Sequence, residues 1–444
     1  MKKIAVIGAG ESGTGAALLA RKQGFDVFVS DKNRIADNYK TILSENAIVW
    51  EEGNHTESSI LSAMEVVKSP GIPNTADILK KIADKKIPII SEIEFAGRYT
   101  NAKKICVTGS NGKSTTSSLI YHILKRAGKE VCLAGNIGVS FAKAVATGSF
   151  DHYVLELSSF QLDNMYEFKS DISVLLNISA NHLDRYEYDI KKYAASKFRI
   201  TQNQTERDYL IYNADDGLIR GEMENRKLSA TKIPFSITQQ LQYGAWIHDN
   251  TLQININTNP FTMSIFNLAL QGKHNLYNSM AAAAVARVLD IRKDVIRECL
   301  SDFQSLEHRL EHVMAVHGIE FINDSKSTTV NSTWYALESI IKPVILILGG
   351  VDKGNDYKML NEVVKEKVKG IVCLGTDNSK IHKAFHEMVP VIQDASSAEE
   401  AVKFAYKMGK KGDVVLLSPA CASFDRFTNF EERGRKFKAA VKAL

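Results

Sequence analysis

The sequence predicts an α/β fold of three domains, and three observations predict it. Short runs rich in Val, Ile and Leu recur along the chain: Ile4 to Ile7, Val27 to Val29, Ile105 to Val107, Tyr153 to Leu157, Ile172 to Asn177, Val344 to Leu348, Ile371 to Leu374 and Val414 to Leu417. Most are separated by segments of helical length, the pattern of parallel strands buried on both faces and joined by right-handed crossovers. The length, 444 residues, corresponds to about three folding units at roughly 100–200 residues each. Two of the runs open directly into glycine-rich loops that are followed by helical patterns.

Composition narrows the class. Hydrophobic residues are 44% and charged residues 24% of the chain, near globular averages, so the chain is neither a disordered tail nor a fibre. Lys plus Arg (56) less Asp plus Glu (51) gives +5. That excess is too weak and too dispersed for a dedicated nucleic-acid or membrane-surface binder. The five cysteines (Cys106, Cys132, Cys299, Cys373, Cys421) are odd in number, widely spaced and free of any CxxC pair, which suggests a reducing compartment and neither a disulfide framework nor a zinc site. The apolar run after Met1-Lys2-Lys3 is too short for a signal peptide, and no apolar stretch approaches the ~18 residues of a membrane span. The cytoplasm is the expected location.

Three blocks follow: residues 1–92, 93–305 and 306–444. The stretch Arg98 to Ala102 is the expected junction into a fresh strand at Lys103. Within the second block, Lys227 to Phe266 shows β-type alternation and an Asp249-Asn250 turn, which predicts a small antiparallel excursion from an otherwise mostly parallel sheet. Gly272-Lys273-His274-Asn275 and an Ala-rich helix from about Leu276 to Leu289 come next. The third block returns to alternating strand and helix.

The strand at Ile4 feeds Gly8-Ala9-Gly10-Glu11-Ser12-Gly13, a GxGxxG, and Asp31 ends the second strand. This is the context of a Rossmann-like fingerprint, in which glycines permit the turn and the helix N-terminus favours a phosphate. The motif leaves the nucleotide open: NAD, or a UDP-linked substrate with Asp31 at its ribose. A second strand runs into Thr108-Gly109-Ser110-Asn111-Gly112-Lys113-Ser114-Thr115-Thr116, a P-loop-type segment. Backbone N–H groups of such a loop surround phosphate oxygens, Lys113 can neutralise the β/γ-phosphates and Ser114 can ligate Mg²⁺. The strict GxxxxGK[ST] pattern would require glycine where Val107 stands, which argues against the common GTPase and kinase loops.

Glu156 is the one acid on the apolar strand from Tyr153, a placement that either a bound cation or a salt bridge would satisfy. His182 lies in Asn181-His182-Leu183-Asp184-Arg185-Tyr186, just past a strand end, where α/β sheets carry chemistry. Lys197, by itself, reads as a solvated helix lysine.

These motifs, with Glu156 to Gln161 and Gly272 to Asn275, occur in the order found in the Mur ligases, the ATP-dependent amide-forming enzymes of peptidoglycan synthesis, and the chain resembles that family throughout its length. The third block is similar to the branch that adds D-glutamate to UDP-N-acetylmuramoyl-L-alanine, through Asn323 to Lys326, Gly349 to Lys353 and the long run Ser418 to Gly434. The resemblance implies that Ser12, Asp31, Ser69, Gly71 and Asn136 bind the UDP-linked substrate. It also implies that Ser110, Asn111, Gly112, Lys113, Ser114, Thr115, Thr116, Asn275, Arg309 and Asp324 bind ATP. Ser114 and Glu156 would hold one Mg²⁺, with His182 and a carbamylated Lys197 holding another. D-glutamate would meet Thr328, Lys353, Ser423 and Phe430, with Lys326 near the reacting phosphate. A monomer, with the third block a second Rossmann-like domain, completes the expectation. Two departures from the family are Thr329, where Asn is frequent, and Glu11, where a hydrophobic residue is frequent. The competing readings are a dinucleotide-dependent oxidoreductase and a kinase or simple ATPase.

Overall fold

The computed structural model describes residues 2–181, 183–270, 272–303, 307–352 and 354–444. The chain is α/β, with three sheets. Two compact units are separable: residues 1–269 with 276–303, and residues 270–275 with 304–444.

The first unit carries two sheets. In the first, β1 (Lys3–Ile7), β2 (Asp26–Asp31), β3 (Val49–Glu52), β4 (Glu65–Lys68) and β5 (Ile89–Ser91) run in the order β3-β2-β1-β4-β5, every pair parallel. The order reverses between β1 and β4, which opens a crevice at their carboxyl ends where ligands of such sheets bind. The second sheet comprises β6 (Lys103–Thr108), β7 (Val131–Gly135), β8 (His152–Glu156), β9 (Ile172–Leu175), β10 (Tyr209–Asn213), β11 (Thr231–Ser236), β12 (Gly244–His248), β13 (Thr251–Asn255) and β14 (Phe261–Ser264), ordered β14-β13-β12-β11-β10-β9-β6-β8-β7. The strand β6, buried from Ile105 to Thr108, lies between β9 and β8, so the loops after β6, β8 and β9 emerge side by side.

The antiparallel excursion is smaller than the sequence suggests. Only β12, β13 and β14 pair antiparallel, whereas β11 continues the parallel sheet on β10. Asp249 and Asn250, both at positive φ (45° and 56°), make the turn between β12 and β13, the conformation that matches strand twist in a two-residue hairpin. The Ala-rich helix spans Lys273–Val288, beginning about one turn earlier than predicted, so Asn275 lies inside its first turn rather than ahead of it.

In the second unit β15 (Glu311–Val316), β16 (Ile319–Asn323), β17 (Val344–Leu348), β18 (Val368–Cys373), β19 (Ile392–Asp394) and β20 (Val414–Leu417) are ordered β15-β16-β20-β17-β18-β19. Only β15 is antiparallel, joined to β16 through His317 and Gly318, which both have positive φ. Thr329 opens the helix Val330–Glu338 with a reciprocal cap to Ser332, so the Thr-for-Asn departure still supplies the helix with its N-cap.

The first two sheets are joined by a buried polar junction. Glu92, in the first turn of the helix Glu92–Gly97, accepts from Ser140 Oγ at 3.0 Å and from the Ala142 N–H at 2.6 Å. Glu11 turns to the same place and accepts from the Ser140 N–H at 3.2 Å. This second departure from the family therefore faces the helix Phe141–Thr147. Burial, reinforced by the nearby Glu11 charge, pushes the Glu92 carboxyl up to about 7.

A carboxyl that keeps its proton in the folded state and loses it in the unfolded chain makes stability fall as pH rises. The loss begins above the ordinary value of 4.5 and is complete once pH passes about 7. Chemical denaturation from pH 4.5 to 7.5 should show this fall, with Glu92 contributing on the order of 3 kcal/mol. In Glu92→Gln the slope should flatten over that window.

Candidate active site

The second glycine loop, expected from the sequence to be a phosphate loop, is built by β6 and the helix Lys113–Arg126, with Gly112 between them at φ +82°. A Cβ at Gly112 would sit 2.3 Å from Asn278 Oδ1, so glycine is required there by both backbone and space. Asn177, just past β9, brackets the loop: its Oδ1 accepts from the Asn111 N–H at 2.8 Å and its Nδ2 donates to the Asn111 carbonyl at 3.0 Å. Ser110 Oγ donates to the Ser179 carbonyl at 2.9 Å. Thr116 Oγ1 donates to Asn278 Oδ1 at 3.2 Å, and Ser114 and Thr115 are buried in the helix's first turn.

Two lysines meet on this loop. Lys113 Nζ donates to the carbonyls of Gly109 (2.9 Å) and Ser110 (3.0 Å), and Lys197 Nζ donates to the same Gly109 carbonyl at 2.8 Å. Lys197 is 1% exposed, with its ammonium 4.6 Å from the centre of the Tyr193 ring. The solvated helix lysine read from sequence is therefore a buried one. Burial, and then the Lys113 charge, drive the Lys197 ammonium well below its ordinary value, which favours a neutral amine.

Glu156 ends β8 and is 1% exposed. Its Oε1 accepts from Asn136 Nδ2 at 2.7 Å, while its buried Oε2 has no hydrogen-bond partner among the described residues. A buried carboxylate oxygen left without a donor fits a hard cation, as does the Ser114 hydroxyl as a companion oxygen ligand. Gly135, at φ +100°, lets Asn136 reach this strand end, since a Cβ there would lie 2.4 Å from the Glu156 carbonyl.

A cavity of about 290 Å³ joins these groups. Gly71, Lys113, Asn136 and Lys197 line it together, with Pro70, Phe160 and Asn181. Residues expected at the UDP-linked substrate and residues expected at ATP thus share one wall. Of the remainder, Ser69 Oγ donates to the Gly8 carbonyl at 3.3 Å, and Ser12 lies in the first turn of the helix Glu11–Lys22. Asp31 Oδ2 accepts from the Ala9 N–H at 2.8 Å, so this carboxylate braces the first glycine loop. His182 and Lys353 lie outside the described residues.

The second unit gathers its own set. Asp324 is buried, accepting from Ser418 Oγ at 2.8 Å and from the Leu310 N–H at 3.2 Å. Burial raises its carboxyl to about 6, against the pull of these donors and of Arg309. The Lys326 ammonium lies 5.7 Å from the Phe430 ring centre, and Ser325 Oγ donates to the Phe430 carbonyl at 2.8 Å. Ser423 is buried, Thr328 is half-buried, and Asn275 caps back onto Gly272 through its N–H (2.9 Å).

Arg433 had no assigned role in the sequence, although it sits within the run Ser418 to Gly434. It is 1% exposed and donates to Ser325 Oγ (3.0 Å), the Ser325 carbonyl (2.8 Å) and the Cys421 carbonyl (3.1 Å). It ties the Asp324-Ser325-Lys326 turn to the loop bearing Cys421 and Ser423. In the sequence it stands beside Arg435 and Lys436 in the helix Phe430–Lys442, with nothing to mark it out from those neighbours.

Three family descriptions match the chain: the Mur ligase MurD-like N-terminal domain at residues 2–91, the Mur ligase middle domain at 107–286, and the Mur ligase glutamate ligase domain at 308–421. The UDP-N-acetylmuramoylalanine--D-glutamate ligase of Bacteroides fragilis is 55% identical over 447 residues, covering 100% of both chains. The enzyme of the same name from Christiangramia forsetii is 52% identical over 443 residues with the same coverage. Among solved structures, UDP-N-acetylmuramate-alanine ligase MurC from Thermotoga maritima superposes with a TM-score of 0.65 at 16% identity over 100% of both chains. MurF ligase from the same organism, in complex with ADP, gives 0.63 at 16% identity over 96% of this chain and 99% of that one.

Removing Arg433 leaves several buried acceptors without a donor, each costing roughly 1–3 kcal/mol. Arg433→Met should accordingly lower the thermal midpoint by several degrees in calorimetry. A midpoint equal to wild type would show that the guanidinium is dispensable. With motif order, cavity and full-length identity in agreement, the chain belongs to the Mur ligase family.

Proposed function

We propose that this chain is an ATP-dependent ligase that adds D-glutamate to UDP-N-acetylmuramoyl-L-alanine, as a monomer in the cytoplasm, in peptidoglycan precursor synthesis. The observation that carries the proposal is the cavity where Gly71 and Asn136 meet Lys113 and Lys197. The identity of more than half of all positions to ligases of that name supports the substrate assignment. In this reading residues 1–92 hold the UDP end of the substrate, 93–305 hold ATP, and 306–444 hold the amino acid.

The reaction has two steps. The alanyl carboxylate attacks the γ-phosphorus of ATP, forming a C–O–P bond and releasing ADP. The amine of D-glutamate then attacks the acyl phosphate carbonyl, a tetrahedral intermediate forms, and phosphate leaves as the amine loses a proton. The triphosphate and the carboxylate must approach although both are anions, so charge stabilisation and positioning dominate the barrier. Lys113 supplies a cation already poised at the phosphate loop. Ser114 and Glu156 would hold a Mg²⁺, whose charge would offset that of the phosphates. Asn136 orients Glu156 and reaches the same cavity, which suits it to the substrate carboxylate.

Lys197 has a different task. A buried amine held neutral beside another lysine is nucleophilic toward CO₂: its nitrogen bonds the carbon, one N–H proton is lost to solvent, and the neutral amine becomes an anionic carbamate oxygen donor. The carbamate would relieve the repulsion with Lys113 and supply a ligand that the unmodified side chain cannot. Ser423, Phe430 and Thr328 would contact D-glutamate, with Lys326 at the transferring phosphate and Asn275, Arg309 and Asp324 at the nucleotide.

Phosphate release with ATP, Mg²⁺ and UDP-N-acetylmuramoyl-L-alanine should occur only when D-glutamate is added. It should stay at background with L-glutamate, L-alanine or diaminopimelate. Release without any amino acid would instead favour a simple ATPase. Lys197→Ala should lose activity by on the order of 10²-fold or more, with partial recovery on adding a short carboxylate such as acetate or propionate. Wild-type activity in that variant would remove Lys197 from catalysis.

A further inference from the structure

Arg185 lies in the 3₁₀ turn Leu183–Tyr186, in the loop that follows β9. Its guanidinium crosses to the first sheet, where Nη1 donates to the Gly71 carbonyl and Nη2 to the carbonyls of Pro70 and Ile72, each at 3.4 Å. The same guanidinium is 4.4 Å from the centre of the Phe160 ring. A planar fork shared by three carbonyls and stacked on an aromatic face is an arrangement that only arginine supplies. The turn it grips follows β4, on one side of the crevice between β1 and β4, and both Pro70 and Gly71 line the cavity that holds Lys113 and Lys197.

A second cation supports this turn from below. Lys68, the last residue of β4, is 3% exposed and donates from Nζ to the Ile72 carbonyl at 3.0 Å. Burial, and then the Arg185 charge, push its ammonium down to about 8, with Asp163 acting in the opposite sense. Asp163 in turn accepts from the Tyr186 hydroxyl at 2.9 Å, and that hydroxyl meets Ser196 Oγ at 3.2 Å, one residue from Lys197. The substrate turn and the lysine helix are thus tied through one short network.

We propose that Arg185, with Lys68 beneath it, is a positioning residue that holds the Ser69–Ile72 turn in register with the phosphate loop, so that the UDP-linked substrate presents its carboxylate to the γ-phosphate. The inference rests on the ligase reading above and adds to it the element that aligns one substrate against the other. The guanidinium touches protein carbonyls and an aromatic ring, so its effect reaches the reaction through the turn. Loss of the staple lets that wall drift, and a misplacement of about 1 Å at reacting groups costs as much as ~10²-fold in rate.

The test is steady-state kinetics of Arg185→Ala, Arg185→Lys and Lys68→Met, with each of the three substrates varied in turn. Arg185→Ala should raise KM for UDP-N-acetylmuramoyl-L-alanine about tenfold and lower kcat, while KM for ATP and D-glutamate stays within about twofold of wild type. Arg185→Lys should behave nearly as poorly, because an ammonium cannot span three carbonyls. Lys68→Met should shift the same KM in the same direction, and less than additively with Arg185→Ala, since both act on one turn. Equal shifts in all three KM values would mark a merely structural role and overturn the proposal, as would an unchanged KM for the UDP-linked substrate. Should Arg185→Ala fail to fold, the lysine and Lys68 variants carry the same test. A wild-type enzyme that needs no D-glutamate would defeat the ligase reading, whereas an active wild type with indifferent Arg185 variants would defeat only this one.

Discussion

The Gly109 carbonyl oxygen receives two lysine ammonium groups, from Lys113 and Lys197, and much of the first unit is arranged around that concentration of positive charge. Two cations brought together in a buried place repel each other and lose solvation. Such a site is stable only if one cation gives up its proton or if anions arrive. Both outcomes suit the role proposed for this site, the collection of a triphosphate and a carboxylate. Glu156, with one oxygen engaged by Asn136 and the other without a donor among the described residues, is the complementary half of the same unfinished charge balance.

Strand order makes this convergence possible. Because β6 lies between β9 and β8, the expected phosphate loop, Glu156 and Asn177 emerge at one edge although β7 and several helices separate them in the chain. Asn177 then clamps Asn111 through both ends of its amide, and Gly112 allows Asn278 to close the other side. The first sheet joins this edge through the Arg185 contacts with the Pro70–Ile72 turn, and its rear is pinned through Glu92 and Glu11 at the start of the helix Phe141–Thr147. Each junction uses charged or amide groups rather than apolar packing alone. Polar junctions fix geometry more tightly than apolar ones because their bonds are directional and costly to leave unmade.

The glycine loops, the strand runs and the long Ser418 to Gly434 segment were legible from the sequence because each depends on local chemistry. Residues such as Gly112, Asp249 and Asn250 announce a positive φ by their type. His317-Gly318 carried the same signal, and with the alternation on either side it could have revealed the β15–β16 hairpin. The extent of the antiparallel excursion was not legible, because a half-buried strand alternates in the same way whichever direction its neighbour runs. Lys197 was misread on its residues alone because a lysine is ordinarily solvated; the apolar spacing of Ile190, Tyr193, Ala194 and Phe198 in the helix Ile190–Phe198 puts it on the covered face.

The sequence by itself determined the fold class, the two strand-loop-helix units and the chemical types present at the site, since these follow from periodicity, glycine placement and residue identity. Tertiary structure alone decided which of those groups meet. The burial of Lys197 under Gly109, the burial of Glu156 beside Asn136, the bridging of Glu92 between two sheets and the grip of Arg185 and Arg433 on distant turns all depend on strand order. The physical reason is that desolvation and directional hydrogen bonding act between neighbours in space, and in a parallel sheet those neighbours are set by crossovers rather than by position along the chain.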